Sequence, residues 1–194
     1  MISANKDIKY VKGNYNNLYL ATKIQVEIFK DNCALLEFLQ CLLKVNNHTD
    51  FYLIYQKGEL AGFVSFYDGA GYGSKNEIWI GYFGILPKFR NNHIASQALL
   101  DFFSYFKSNV GGGYKCLRLC SYKKLKPALH IYRKYMDFEE NYTRTHKSEN
   151  MIVFTKSLTK KPAKKWNNRD LYYGEDKKYE KYSMIMWNSF NNKK

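Results

Sequence analysis

Tyr82-Phe83-Gly84-Ile85-Leu86-Pro87-Lys88-Phe89-Arg90-Asn91-Asn92-His93-Ile94-Ala95-Ser96 is the stretch on which the fold turns. Glu77–Leu86 is an apolar and aromatic run of strand composition, and Pro87 ends it because proline has no amide to give to a ladder. A polar turn follows. Ile94–Phe106 then carries Ile94, Ala98, Leu99, Phe102, Phe103 and Phe106 at the spacing of one helix face. The first amides of a helix have no partner within it and carry the positive end of its dipole. A turn feeding such a terminus suits a phosphate or pyrophosphate. Arg90 adds positive charge there, and the small Ala95 and Ser96 keep the helix start open. Strand–turn–helix units also serve as plain surface connections, so the stretch needs its context.

Upstream, Ile8–Val11 reads as a strand, and Leu18–Phe29 and Ala34–Val45 read as amphipathic helices. Phe51–Tyr55 and Leu60–Tyr67 are strand-like runs joined by Gln56-Lys57-Gly58-Glu59, the signature of a hairpin. Asp68–Lys75 is a glycine-rich loop. Downstream, Gly111-Gly112-Gly113 stops the helix and Lys115–Ser121 is a strand. Pro127–Tyr135 suits a short helix with proline in its first turn. Phe138–Thr145 and Asn150–Leu158 close the pattern as strands. This mixed order predicts an α/β domain with a central sheet flanked by helices.

The second informative segment is Lys126-Pro127-Ala128-Leu129-His130-Ile131-Tyr132-Arg133-Lys134-Tyr135-Met136-Asp137-Phe138. Together the two segments resemble the GNAT superfamily of N-acetyltransferases. That family shows a strand ending near V-x-P, then R-x-x-G-x-G/A, and later A-x-x-x-Y-x-x-x-G-F on a helix. Here Ile85-Leu86-Pro87 stands at the strand end and Arg90-x-x-His93-x-Ala95 in the turn. Ala128-x-x-x-Tyr132-x-x-x-Met136 and Phe138 stand on the helix, with one extra residue before the phenylalanine. The hairpin around Gly58–Phe63 looks like the family's second and third strands. The likeness runs from about Ile8 to Leu158.

The resemblance implies an α/β (α+β mixed) fold whose sheet is mostly antiparallel and splayed at its middle strands. It implies one acetyltransferase domain over residues 1–158, with 159–194 as a basic extension. Acetyl-CoA would be the acyl donor, with no metal. Its pantetheine arm would lie on backbone groups of Phe83 and Ile85. An amide of Phe83, Gly84 or Ile85 would steady the oxyanion. Arg90 and the amides of Asn91, Asn92, His93, Ile94, Ala95 and Ser96 would hold the pyrophosphate. Tyr132 would face the thioester sulfur as general acid, a role within reach of a phenol. Three positions depart from the pattern. His93 and Asp137 replace glycines, and Leu125 replaces a frequent cofactor-binding asparagine. Asn91 and Asn92 tolerate left-handed backbone better than most residues, which compensates in part.

A base must also take a proton from the attacking ammonium. Glu77 qualifies by alternation, sharing a strand face with Trp79, Gly81 and Phe83. The alternative for Glu77 is a solvated surface carboxylate. His130 and His146 are weaker candidates.

Composition narrows the partners less. Net charge is +14, but ten basic and four acidic residues after Leu158 place +6 of it in the last segment. Such a charge admits nucleic acid as a partner without favouring it. Cys33, Cys41, Cys116 and Cys120 lack zinc-site spacing and read as reduced thiols. Met1–Asp7 contain no apolar run, and no window nears the ~20 apolar residues of a membrane helix, so the expected location is cytoplasmic. Lys160–Lys165 read as an exposed connector and Tyr182–Trp187 as a docking strand, on this domain or in a homodimer. The reading is an acetyltransferase acting on a primary amine. An aminoacyl-RNA acceptor, or a non-catalytic acyl-CoA-binding module, is the alternative.

Overall fold

The computed structural model describes residues 7–29, 41, 48–68, 76–108, 113–144 and 150–166. Seven strands are present: β1 Ile8–Lys12, β2 His48–Gln56, β3 Glu59–Asp68, β4 Glu77–Ile85, β5 Cys116–Tyr122, β6 Glu139–Arg144 and β7 Asn150–Ser157. They form one sheet in the order β1-β2-β3-β4-β5-β7-β6. Pairing is antiparallel for β1/β2, β2/β3, β5/β7 and β6/β7, and parallel for β4/β5. The helices are α1 Leu18–Phe29, α2 Ile94–Ser108 and α3 Lys126–His130, which runs on as a π-helical turn over Ile131–Tyr135. This is the mixed, mostly antiparallel α/β architecture that the element order predicts. The helix expected over Ala34–Val45 and the strand expected over Tyr182–Trp187 lie outside the described residues, Cys41 apart.

The chain divides into two compact units, and β4 runs from one into the other at Ile80–Gly81. The first unit holds the described residues between 7 and 67 together with 81–92. Its hairpin turn is narrow, with Lys57 at φ 49° and Gly58 at φ 82°. Two successive positive φ values match the twist of the flanking strands, as two-residue hairpins require. The core joins Ala21 and Ile24 of α1 to Phe51, Leu53, Phe63 and Leu86. Phe51 stacks on Phe63, and Phe29 meets Phe63 and Tyr82 edge-on. Gly84 is where α1 lies on the strand: a Cβ there would sit 2.7 Å from Ile28 Cγ2. The missing Cβ at Gly84 thus makes room for the Ile28 and Phe29 side chains of α1.

The second unit holds the described residues among 68–80 and 93–166. Phe154 of β7 packs against Tyr132 and Phe138. Cys116 is buried in β5, and burial pushes its thiol up to about 12. Such a thiol stays protonated and serves as a small apolar core group.

The ordered chain does not loosen after Leu158, where a connector was expected. Lys160, Lys161, Lys164 and Lys165 are exposed, but Trp166 is only 5% exposed and packs edge-on against the buried Trp79 at 5.0 Å. The Lys164 carbonyl accepts a hydrogen bond of 2.6 Å from Arg118 Nη2. The Ser157 hydroxyl also donates to the Thr159 and Lys161 carbonyls, so residues 159–166 are held as part of the second unit.

Candidate active site

The parallel ladder between β4 and β5 runs from Glu77↔Cys116 to Ile80↔Leu119 and stops there, while the strands continue to Ile85 and Tyr122. The remaining half of β4, Gly81–Ile85, belongs to the first unit. There the Tyr82 amide donates to the buried Ser65 hydroxyl at 2.8 Å. The Leu86 amide donates to the Ala61 carbonyl at 2.8 Å, which carries the β3 contact to the end of the strand. Phe83 is half-buried; Ile85 and Gly84 are buried.

The turn is built by local bonds. Pro87–Phe89 form a 3-10 turn, with the Phe89 amide donating to Leu86 and the Arg90 amide to Pro87. Arg90 Nε donates back to the Ile85 carbonyl at 3.0 Å. That bond fixes the stem of the guanidinium at the strand end and occupies an acceptor on the residue expected to face pantetheine. Asn91 takes φ 64° and His93 takes φ 58°, the left-handed region. His93 therefore takes, despite its Cβ, a backbone region that glycine adopts freely. Such conformations are enriched in Asn and His among residues with side chains.

In the second unit α2 opens at Ile94. The Gln97 amide and the Ser96 hydroxyl both donate to the His93 carbonyl, at 3.0 and 2.9 Å. Ser96 is buried, so its hydroxyl stabilises the helix start, and the first-turn amides supply the anion-binding potential.

Tyr132 lies in the π turn, buried against Phe138 and Phe154, with ring centroids 6.3 and 5.2 Å away. Burial, and secondarily the nearby Cys120 thiol, hold its phenol above the ordinary tyrosine range. The extra residue between Tyr132 and Phe138 is absorbed by this wide turn. Phe138 still donates its amide to the Tyr132 carbonyl, at 3.3 Å. Asp137, at another glycine position of the pattern, has φ 48°, again the left-handed region. Leu125, in the place of the asparagine, precedes α3 as an exposed side chain without a capping bond.

Glu77 is placed differently from a base. Its carboxylate is 8% exposed as a residue and bound at both oxygens by Arg118, at 2.7 Å from Nη2 and 2.8 Å from Nε. Arg118 Nη1 donates to the Thr155 hydroxyl, and the guanidinium lies 5.6 Å from the Trp166 ring centre. A buried carboxylate so engaged is first of all the partner of a buried guanidinium, which competes with any proton for it. His130 is exposed, and His146 lies outside the described residues. Among the described residues, no cluster of His, Cys, Asp or Glu is arranged to hold a metal, and no helix is long and apolar enough to cross a membrane.

Against known proteins, the family model for the acetyltransferase (GNAT) family matches residues 17–138, more than half of the chain. The chain belongs to the GNAT acetyltransferase family. It is a transferase by that membership. No curated protein matches by sequence. Solved structures agree on the fold. The ribosomal-protein-S18-alanine N-acetyltransferase of Escherichia coli superposes with a TM-score of 0.63 at 13% identity, covering 82% of this chain and 99% of its own. A GNAT acetyltransferase of Elizabethkingia anophelis with acetyl-CoA bound gives 0.61 at 17% identity, over 78% and 99%. NAA60 of Arabidopsis thaliana, in complex with a bisubstrate analogue, gives 0.59 at 17% identity, over 77% and 97%.

Two features of this GNAT chain escaped the sequence. Arg118 is one: alternation in Cys116-Leu117-Arg118-Leu119-Cys120 leaves a charged residue in a buried strand, and that is the signal for a buried pair. Trp166, an indole at the end of a lysine-rich run, is the other.

Proposed function

We propose that this acetyltransferase uses acetyl-CoA to acetylate a primary amine by direct attack in a ternary complex. The observation that carries the reading is the turn Arg90–Ser96. Asn91 and His93 adopt left-handed backbone where the family pattern is glycine-rich, and the turn delivers the chain into the open first turn of α2. In this reading the pyrophosphate sits on the amides of Asn91–Ser96 beside Arg90. The pantetheine arm lies along Gly81–Ile85, where the parallel ladder to β5 has ended and amides of Phe83 or Ile85 are suited to a ligand carbonyl.

The amine attacks the thioester carbonyl carbon, and an amide from Phe83–Ile85 steadies the resulting oxyanion. As the tetrahedral intermediate collapses, the C–S bond breaks and the electron pair leaves on sulfur. Tyr132 then donates its proton to the thiolate. An ordinary phenol already holds its proton at neutral pH and burial raises this one further, so it is protonated when the thiolate leaves, and the phenolate recovers a proton from solvent or from the attacking amine. The amine's own proton departs to water or to a base other than Glu77. Glu77 and Arg118 instead hold the paired end of β4 against β5.

The N-terminal amine of a protein is the acceptor to test first, because the E. coli structure above is named for the alanine of a ribosomal protein. The experiment is a mass-shift screen with acetyl-CoA over peptides with free N-termini, lysine side-chain amines and small amines. A gain of one acetyl group, matched by one free CoA, is the expected product of an amine of the peptide class. Acetylation confined to small amines would reject the protein-acceptor reading. Thioester hydrolysis without any acetylated amine would reject amine transfer.

A further inference from the structure

Between Lys115 and Met136 the chain carries seven basic residues and no acidic one. Two of the seven face carboxylates: Arg118 binds Glu77, and Arg133 binds Glu140 at 2.6 and 3.1 Å. Three others, Lys123, Lys124 and Lys126, stand on the turn that joins β5 to α3, where every residue from Tyr122 to Pro127 is exposed. The turn has a fixed shape. The Leu125 amide donates to the Tyr122 carbonyl and the Lys126 amide to the Lys124 carbonyl, both at 3.0 Å. The Lys124 ammonium lies 5.2 Å from the Tyr122 ring centre. Tyr122 and Leu125 are 38% and 45% exposed, so the lysines frame two large apolar side chains.

The position of the turn matters as much as its charge. β5 parts from β4 after Leu119 and continues to Tyr122. α3 opens at the turn and, through its π turn, carries Tyr132. From Lys126 to Tyr132 a helix rises about 9 Å. An extended peptide advances ~3.4 Å per residue. A chain running along this helix from an amine beside Tyr132 therefore brings about its third to fifth residues level with the lysines. Ammonium groups around apolar side chains complement carboxylates, and such rim charge sets partner choice and encounter rate.

We propose that the turn Tyr122–Lys126 is a docking surface for an acidic segment of the acceptor, a peptide with Asp or Glu at about its third to fifth positions. The inference rests on the peptide-acceptor reading above and narrows it to one charge class.

The test is steady-state acetylation by the full chain of peptides that share the N-terminal residue found by the mass-shift screen. They carry aspartate, serine or lysine at the third to fifth positions. An exposed ion pair changes binding by about twofold, so KM for the aspartate peptide should lie about tenfold below that of the serine peptide, at equal kcat. High salt should remove the advantage. A combined Lys123→Gln, Lys124→Gln and Lys126→Gln variant should bring the aspartate peptide to the serine value, with acetyl-CoA affinity unchanged. Melting without substrate verifies its fold, and Lys126→Gln alone should remove about twofold of the advantage. Equal KM for the three peptides, or a preference that the folded variants retain, overturns the docking surface alone. So does a variant that loses acetyl-CoA affinity in place of the peptide preference, or one that loses only the binding of a single-stranded RNA oligonucleotide. A screen that yields no peptide acceptor overturns the reading beneath and this inference with it.

Discussion

Replacing Tyr132 by phenylalanine will lower turnover by about 10²–10⁴-fold, the usual contribution of a positioned general acid. The ring contacts to Phe138 and Phe154 survive the change. Melting temperature and acetyl-CoA affinity should therefore stay near wild type, and the loss should fall on kcat. Thiol release with the acceptor found by the mass-shift screen reads this directly, and an unchanged kcat removes Tyr132 from the chemistry. The pH dependence adds a second check. Burial raises the pKa of the phenol in the folded state, so it stays protonated up to the ordinary tyrosine value of 10.0 and beyond. No alkaline loss of kcat below about pH 10 should trace to Tyr132. A folded-state pKa above the unfolded one also means that the associated stability is intact below the unfolded value. That stability is lost as pH rises through the folded one.

The largest effect on stability is expected at Arg118. Replacing it by methionine leaves the Glu77 carboxylate buried without its bidentate partner and the Lys164 carbonyl without its donor. Breaking a buried pair from one side costs about 3–5 kcal/mol. In a chain of this size that corresponds to a fall in melting temperature of roughly 6–20 °C. Trp166 should also leave Trp79, making residues 159–166 sensitive to protease. A combined Arg118→Met and Glu77→Leu variant should recover much of the loss, because the stranded charge is gone. Calorimetric or fluorescence melting of the three proteins checks this. A cost below about 1 kcal/mol for Arg118→Met, the range of exposed pairs, would show that the pair is solvated.

Much of the fold was legible because its signals are local. Pro87 ending an apolar strand, the period of Ile94–Phe106, and Lys57-Gly58 in a two-residue turn each fix their element without distant partners. The strand–turn–helix step from Leu86 to Ile94 was legible for the same reason; of the two asparagines expected to tolerate left-handed backbone, Asn91 takes it and Asn92 does not, while His93 does. The parts that were not legible depend on register. Glu77 and Arg118 are 41 positions apart, and they meet because β4 and β5 pair in parallel with Glu77 opposite Cys116. From the sequence, Glu77 on a central strand reads equally as a base, and only the partner decides. Trp166 was hidden by its lysines, whose exposed ammonium groups say nothing of the indole beside them. The π turn was foreshadowed by one surplus residue before Phe138, but a count does not reveal whether a loop or a helix absorbs it.

The central claim is that the turn Arg90–Ser96 receives the donor's pyrophosphate. It is tested most directly by a crystal structure of the chain grown with acetyl-CoA. The account predicts one donor molecule per chain, its pyrophosphate oxygens within hydrogen-bond reach of the Asn91–Ser96 amides. An acetyl-CoA bound with its pyrophosphate on any other segment would contradict it.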